Sequence, residues 1–452
     1  MEQTKENKMG VMPVNQLLIN MSLPMVLSML VQALYNVVDS IFVSRINENA
    51  LTAVSLAFPI QSLMIAVAAG TCVGINAVLS RSLGERDYDK VNKSACNGII
   101  LMALSYLLFL LVGIFGAELF YRSQTQDAEI VQFGKDYLTV ICCCSIGVFT
   151  QFTFEKLLQA TGKTFYTMIT QGVGAIINII LDPILIFGLA GMPRMGVKGA
   201  AVATVIGQVI AGILAFYFNY KKNEEVKIKK EGLRLEGAIV KQIYMIGIPS
   251  MIMQAIGSVM TYGMNRILIT FTSTATAVFG VYYKLQSFVF MPIFGMNNGL
   301  VPILAYNYGA GKKDRFMKAM KLGIMYAVII MLIGLIVLNA IPVTLLELFD
   351  ASETMIEIGV PALRTISLSF LLAGFCIICG TVFQALGCAV YSMIVSIARQ
   401  LVVLLPAAYL LSLSGNVNYV WWAFPIAELM SLLITTLFMV KINKDIISHI
   451  GE

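Results

Sequence analysis

Apolar residues gather in twelve long stretches, separated by short polar or charged turns, near 15–42, 51–80, 94–117, 130–160, 164–190, 197–220, 240–270, 275–305, 318–343, 355–386, 389–413 and 418–441. A bilayer-spanning helix needs about 20 mostly apolar residues to cross about 30 Å of hydrocarbon. Each stretch meets that length, so the pattern predicts twelve membrane helices and no soluble core.

The pattern occurs twice. Pro24 in Ser-Leu-Pro-Met recurs as Pro249 in Gly-Ile-Pro-Ser, and Gly84 in Ser-Leu-Gly-Glu recurs as Gly309 in Asn-Tyr-Gly-Ala. Gln159-Ala160, Gly162, Tyr166 and Met168-Ile169 recur as Gln384-Ala385, Gly387, Tyr391 and Met393-Ile394, all at an offset of 225 residues. Each copy holds six spans, an even number, so both begin on the same side of the membrane. Parallel repeats of this kind build many secondary transporters. The expected fold is an all-α polytopic membrane protein with two six-helix lobes, 1–225 and 226–452, joined by a linker at about 219–241.

Composition agrees: 58% of residues are apolar and 12% charged, with mean hydropathy +0.83. The first fourteen residues are polar with mixed charge, and the first span lacks a small-residue cleavage site, so a removable signal peptide is not expected. Of the 31 Lys and Arg residues, 21 fall on the side that holds both termini and four (Arg45, Arg122, Arg194, Lys198) on the other. By the positive-inside rule both termini are cytoplasmic, with the chain in the cell membrane. The net charge of +6 then serves topology and contact with anionic lipid, not nucleic acid. A monomer is expected.

Most chemistry is missing. Gly162-Lys163-Thr164 resembles the end of a phosphate loop, but Leu157 stands where its first glycine belongs, and Gly309-Ala310-Gly311-Lys312 is followed by Lys313. The one histidine, His449, lies beyond the last span, and no Gly-x-Ser-x-Gly elbow occurs. All eight cysteines lie in or beside apolar spans. Cys376-Ile-Ile-Cys379 sits within one without a histidine partner, which reads as packing. No enzymatic activity and no bound cofactor are expected.

Ionisable groups inside spans cost about 2.5–3.5 kcal/mol on insertion scales, so each needs a reason. Asp39 falls near the outer end of the first span and Asp182 deep in the fifth. Asn178 lies one helical turn before Asp182 on the same face. Pro183 frees a backbone carbonyl there, and Thr204 adds a hydroxyl on the sixth span. Asp39, Asn178, Asp182 and Thr204 could cage Na⁺ or share a proton. The structural alternative is that Asn178 only joins helices while Asp39 sits near water and Arg45.

The second half has no copy of that pair. Met264 and Ala407 stand at the equivalent positions. It holds Arg266, Lys284, Arg364, Arg399 and Glu428 instead. A buried pair of Glu428 with Lys284 or Arg399 is expected, with a second titrating site as the alternative. Glu155-Lys156, near the inner end of the fourth span, reads as an interfacial pair whose long side chains snorkel. Candidate residues for a small-molecule cleft are Gln32, Tyr35, Asn36, Gln61, Met64, Met260, Met264, Tyr282, Tyr283, Met291 and Met296. Methionine repacks easily around varied ligands, although lipid-facing packing explains any single one as well.

The motifs Ser-Leu-Pro-Met-Val with Asn-Val-Val-Asp39-Ser, Ala-Val-Ser-Leu-Ala-Phe-Pro, Ser-Arg-Ser-Leu-Gly-Glu and Asn178-Ile-Ile-Leu-Asp182-Pro-Ile-Leu-Ile-Phe-Gly make nearly the whole chain resemble the multidrug and toxic compound extrusion (MATE) family. That resemblance implies an antiporter exporting cationic or amphipathic compounds in exchange for H⁺ or Na⁺. Its first-lobe cation site corresponds to Asp39, Asn178, Asp182 and Thr204. One branch of the family places its cation site in the second lobe, on a Glu of the seventh span and an Asp of the tenth. Here those spans offer Gln254, Thr261 and Asn265, and Arg364 without an Asp, so the chain resembles the DinF-like and MepA-like branch. A lipid-linked saccharide flippase of the same superfamily is the rival expectation, since Arg266, Lys284, Arg364 and Arg399 would suit a cationic cleft. Two spans typical of such flippases are missing.

Overall fold

The computed structural model describes residues 6–228 and 234–451. Lys5, Lys229, Lys230 and the middle of the expected linker lie outside the described residues. All regular structure among the described residues is helical. The first half comprises a short α1 (Lys8–Val11), then α2 (Val14–Ser44), α3 (Glu48–Gly84) and α4 (Tyr88–Leu111). A π-turn, Val112–Gly116, carries α4 into α5 (Ala117–Gln124), followed by α6 (Ala128–Cys143), α7 (Ile146–Ala160), α8 (Thr164–Phe187) and α9 (Val197–Lys222). The second half runs through α10 (Gly237–Leu268), α11 (Ser273–Gly309), α12 (Lys313–Ala340), α13 (Pro342–Glu347), α14 (Glu353–Ser367) and α15 (Phe370–Ala385). It ends with α16 (Ala389–Ile397), a π-segment (Ala398–Leu404), α17 (Leu405–Ser412), α18 (Val417–Val420) and α19 (Ala423–Asp445). Ten spans are long and apolar enough to cross a bilayer alone, and two bent pairs, α6–α7 at 41° and α14–α15 at 48°, make twelve.

The repeat extends to single hydrogen bonds. Asn47 caps α3 by accepting from Ala50 N at 2.7 Å, and its equivalent Thr272 caps α11 by accepting from Ala275 N at 3.0 Å. Each cap satisfies one of the amide donors that a helix start leaves unpaired. Gly162 and Gly387 adopt φ of 86° and 82°, a left-handed geometry that glycine tolerates best. In both turns the next residue closes the same bond at 2.7 Å, Lys163 N to Leu158 O and Cys388 N to Phe383 O. The two bends resemble each other one residue out of register: Ser145 donates to Cys142 O and Ser369 to Ile366 O, each at 2.7 Å.

The two halves meet chiefly through α3 on α10 and α2 on α11. Gly70 and Gly74 let α3 close onto Gly247, Met251 and Ile243, while Gly295 and Gly299 let α11 close onto Val26 and Ser22. All these positions lie toward the end of the bundle that carries the termini. Toward the opposite end, Gly257 and Gly280 meet nothing within 4 Å, and Leu34, Phe58, Val259 and Tyr262 are exposed.

The start of the chain straps the closed end. Asn7 donates to Thr161 O at 3.0 Å and to Glu225 at 2.8 Å in the first half. On the other side Lys312 donates to Glu6 and to Gly10 O, and Arg315 donates to Met9 O and Met12 O.

Candidate functional site

Asp182 is fully buried and Asn178 3% exposed. Both sit on α8, and α2 brings Asp39 within electrostatic reach of Asp182. Asn178 Nδ2 donates to Thr204 Oγ1 at 3.2 Å, and Thr204 donates on to Ala200 O at 3.0 Å. That chain uses the donors of the site and leaves its acceptors open. Asp39 Oδ1, Asn178 Oδ1 and both oxygens of Asp182 are buried without a hydrogen-bond partner. Unpaired buried acceptors are expensive, and two facing carboxylates repel each other unless a cation or proton lies between them. The oxygen set therefore fits a monovalent cation or a shared proton. Among the described residues no three His, Cys, Asp or Glu side chains are grouped so as to hold a metal ion.

Two phenols complete the surroundings. Tyr35 lies within electrostatic reach of both Asp39 and Asp182, and Tyr137 within reach of Asp39. Gln61 Nε2 donates to Tyr137 Oη at 3.0 Å. Tyr137 was not among the residues expected from sequence, because a tyrosine in an apolar span carries no signal of its own.

A cavity of about 600 Å³, counting space open to solvent, adjoins this cluster between α2, α7, α8 and α9. Gln32, Tyr35, Asn178 and Thr204 line it, together with Ser28, Gln151, Glu155, Gln171 and Gln208. Of the other cleft candidates, Met64, Met260, Met264, Met296 and Tyr282 are buried. Met291 is half-buried, Asn36 and Tyr283 are exposed, and none of these eight lines the cavity.

One expectation is overturned outright. Glu155 and Lys156 do not snorkel to an interface; they are 3% and 8% exposed. Glu155 accepts from Gln151 (3.0 Å), Thr170 (2.7 Å) and Gln171 (2.7 Å), while Lys156 donates to Gln159 and to Asn298 of the other half, both at 2.8 Å. The reason is packing: α7 is enclosed by α3, α4, α8 and α9, so neither side chain extends to the membrane interface, and Glu155 opens only onto the cavity.

In the second half Glu428 pairs with Arg399 at 3.3 Å. Lys284 is exposed and stands over the Phe349 ring, 5.8 Å from its centroid. Arg399 lies in the π-segment, where an extra residue per turn re-aims the side chain.

A twelve-span repeat with an acid pair beside a cavity within its first half is a build that membrane transporters share. The sequence pattern that defines the MatE family matches residues 24–184 and again 249–410, and the chain belongs to that family of membrane transporters. It is 27% identical over 412 residues to the multidrug export protein MepA of Staphylococcus haemolyticus (strain JCSC1435), covering 91% of this chain and 90% of that one. The fold superposes with a TM-score of 0.90 on a solved structure described as the outward-facing conformation of a multidrug resistance MATE family transporter of the MOP superfamily, at 26% identity over 98% of this chain and 99% of that one. It also matches, with a TM-score of 0.91, 26% identity and full coverage of both chains, a MOP superfamily transporter from Pyrococcus furiosus whose binding pocket is described as reversed in polarity and as suggesting a different function. The protein is thus a multi-pass membrane transporter of the MatE family.

Proposed function

We propose that this transporter exports cationic or amphipathic drugs in exchange for inbound H⁺ or Na⁺, with Asp39, Asn178, Asp182 and Thr204 as the coupling site. The carrying observation is the Asp39–Asp182 pair with its open acceptors, set beside a cavity lined by Asn178. Relatives named as multidrug export proteins give the substrate class.

With both termini cytoplasmic, as the basic residues indicate, the glycine-lined contacts seal the inner side and the molecule faces outward. The lobes 1–225 and 226–452 then rock about these contacts. In the outward state a cation entering between Asp39 and Asp182 cancels the charge that attracts a cationic drug, and affinity falls. Ligands shift such an equilibrium only by their differential affinity for the two states. A membrane potential of 100 mV contributes about 2.3 kcal/mol for each charge moved. The protein works as a monomer.

The flippase alternative loses weight because Arg399 is neutralised by Glu428 and Lys284 lies exposed over Phe349. Drug efflux from proteoliposomes across imposed Na⁺ and pH gradients tests the assignment. Export that responds to neither gradient contradicts it.

A further inference from the structure

Glu155 is a buried acid that forms no salt bridge among the described residues; Lys156 acts on it only from a distance. Its carboxylate is held by three neutral donors, Gln151 Nε2 and Thr170 Oγ1 on one oxygen and Gln171 Nε2 on the other. The adjacent ammonium of Lys156 turns away to Gln159 and Asn298. The other titratable group in electrostatic reach is the Cys72 thiol of α3. On the cavity wall, α2 presents the Tyr35 phenol, and α8 and α9 present only neutral groups. Burying an ion without a contacting partner of opposite charge is costly, and a glutamine would join the same helices without that cost.

Two further features separate this acid from helix glue. It lines the same cavity as Asn178 and Thr204, so water and ions in that cavity reach it. Gln171 Oε1 is buried and has no partner. Rotating that amide would replace a donor to the carboxylate by an acceptor for the protonated acid, so both protonation states can be satisfied.

The geometry points to Glu155, with Gln171, as a second proton-binding station of the first lobe, on the side nearer the termini. Along α8 its partner Thr170 lies twelve residues, about 18 Å, from Asp182. The inference rests on the antiport reading and extends it: one acid pair would load near the outer side and a single acid would exchange nearer the inner one. The step is simple transfer. A proton passes from cavity water to a Glu155 oxygen, the neutral acid donates to Gln171 Oε1, and the reverse transfer returns the proton to water.

The test uses the full-length protein in lipid nanodiscs, with infrared difference spectra recorded across a pH step. A protonated-carboxyl band is expected that disappears in Glu155→Gln and survives in the double variant Asp39→Asn, Asp182→Asn. In proteoliposomes Glu155→Gln should lower pH-driven efflux at least about tenfold, in line with a positioned proton-transfer group, while Glu155→Asp restores it. Should Glu155→Gln fail to fold, Gln171→Leu leaves the acid in place and is expected to move the midpoint of the same band. A band unchanged in Glu155→Gln, or unmoved in Gln171→Leu, overturns the inference. Undiminished exchange in the double aspartate variant alongside a Glu155 band would instead remove the coupling site and leave this station standing.

Discussion

Gly84 and Gly309, which the repeat relates, each pack on the other half's equivalent residue. A methyl group on Gly84 would lie 2.0 Å from the Tyr306 carbonyl oxygen, and one on Gly309 would lie 2.1 Å from the Arg81 carbonyl oxygen. Arg81 and Tyr306 are themselves 225 apart, so the crossing is self-complementary. Both obstacles are backbone atoms, which cannot step aside as a flexible side chain can. Alanine at either position should destabilise the closed end by about 1–3 kcal/mol, the usual cost of overpacking. Spin labels on exposed Lys221 and Lys441, in a cysteine-free background, would report it. The expected result is a longer inter-label distance in Gly84→Ala; an unchanged distribution would mean that this crossing does not hold the end shut.

The strap at the closed end carries its own pH signature. The hydrogen bond from Lys312, aided by its charge, holds the Glu6 carboxyl below its ordinary value of 4.5. A carboxyl whose value is lowered by folding stabilises the folded contact above the unfolded value and ceases to do so as pH falls through the lowered one. Between pH 6 and 8 the contact should therefore be constant, weakening only in acid. Lys312→Gln should speed amide exchange of residues 6–12 by up to about fivefold at neutral pH, the scale of a partly exposed ion pair. Exchange that varies between pH 6 and 8 in the wild type would implicate another group.

The Arg399–Glu428 pair answers to a different test. Glu428 has a 6% exposed side chain and Arg399 a 28% exposed one. Removing one partner should cost roughly 2–3 kcal/mol, less than for a fully buried pair because water still reaches the guanidinium. Thermal unfolding of Glu428→Gln should show that loss, and the combined Arg399→Met, Glu428→Leu protein should recover most of it while keeping ion-driven export. An altered ion dependence in the combined variant would make Glu428 a second titrating site.

The span count and repeat were legible because hydropathy and fixed-offset landmarks survive in a single chain, down to the paired turns at Gly162 and Gly387. The two bends were not, since neither break carries a proline or glycine; the Ser145 and Ser369 hydroxyls that bond back at them look like any serine in an apolar run. The grouping of Asn178 with Thr204 followed from their residue types and span positions. Glu155 was misplaced because its distance from the end of α7 is visible in sequence while the helices enclosing it are not. Its signal was present: Gln151 stands four residues earlier on the same face, and Thr170-Gln171 supply polar groups on the next helix. For Glu428, sequence showed that a cation was needed but not which one, because the π-segment that aims Arg399 leaves no trace in composition.

The coupling role of the aspartates is tested most directly by substrate-evoked ion movement in proteoliposomes, comparing wild type with Asp39→Asn and Asp182→Asn. Wild type should move H⁺ or Na⁺ inward as drug leaves. Each variant should lose at least about tenfold of that exchange, the equivalent of about 1.4 kcal/mol, and bind cationic drug more weakly. Ion movement at the wild-type rate in both variants would contradict the assignment.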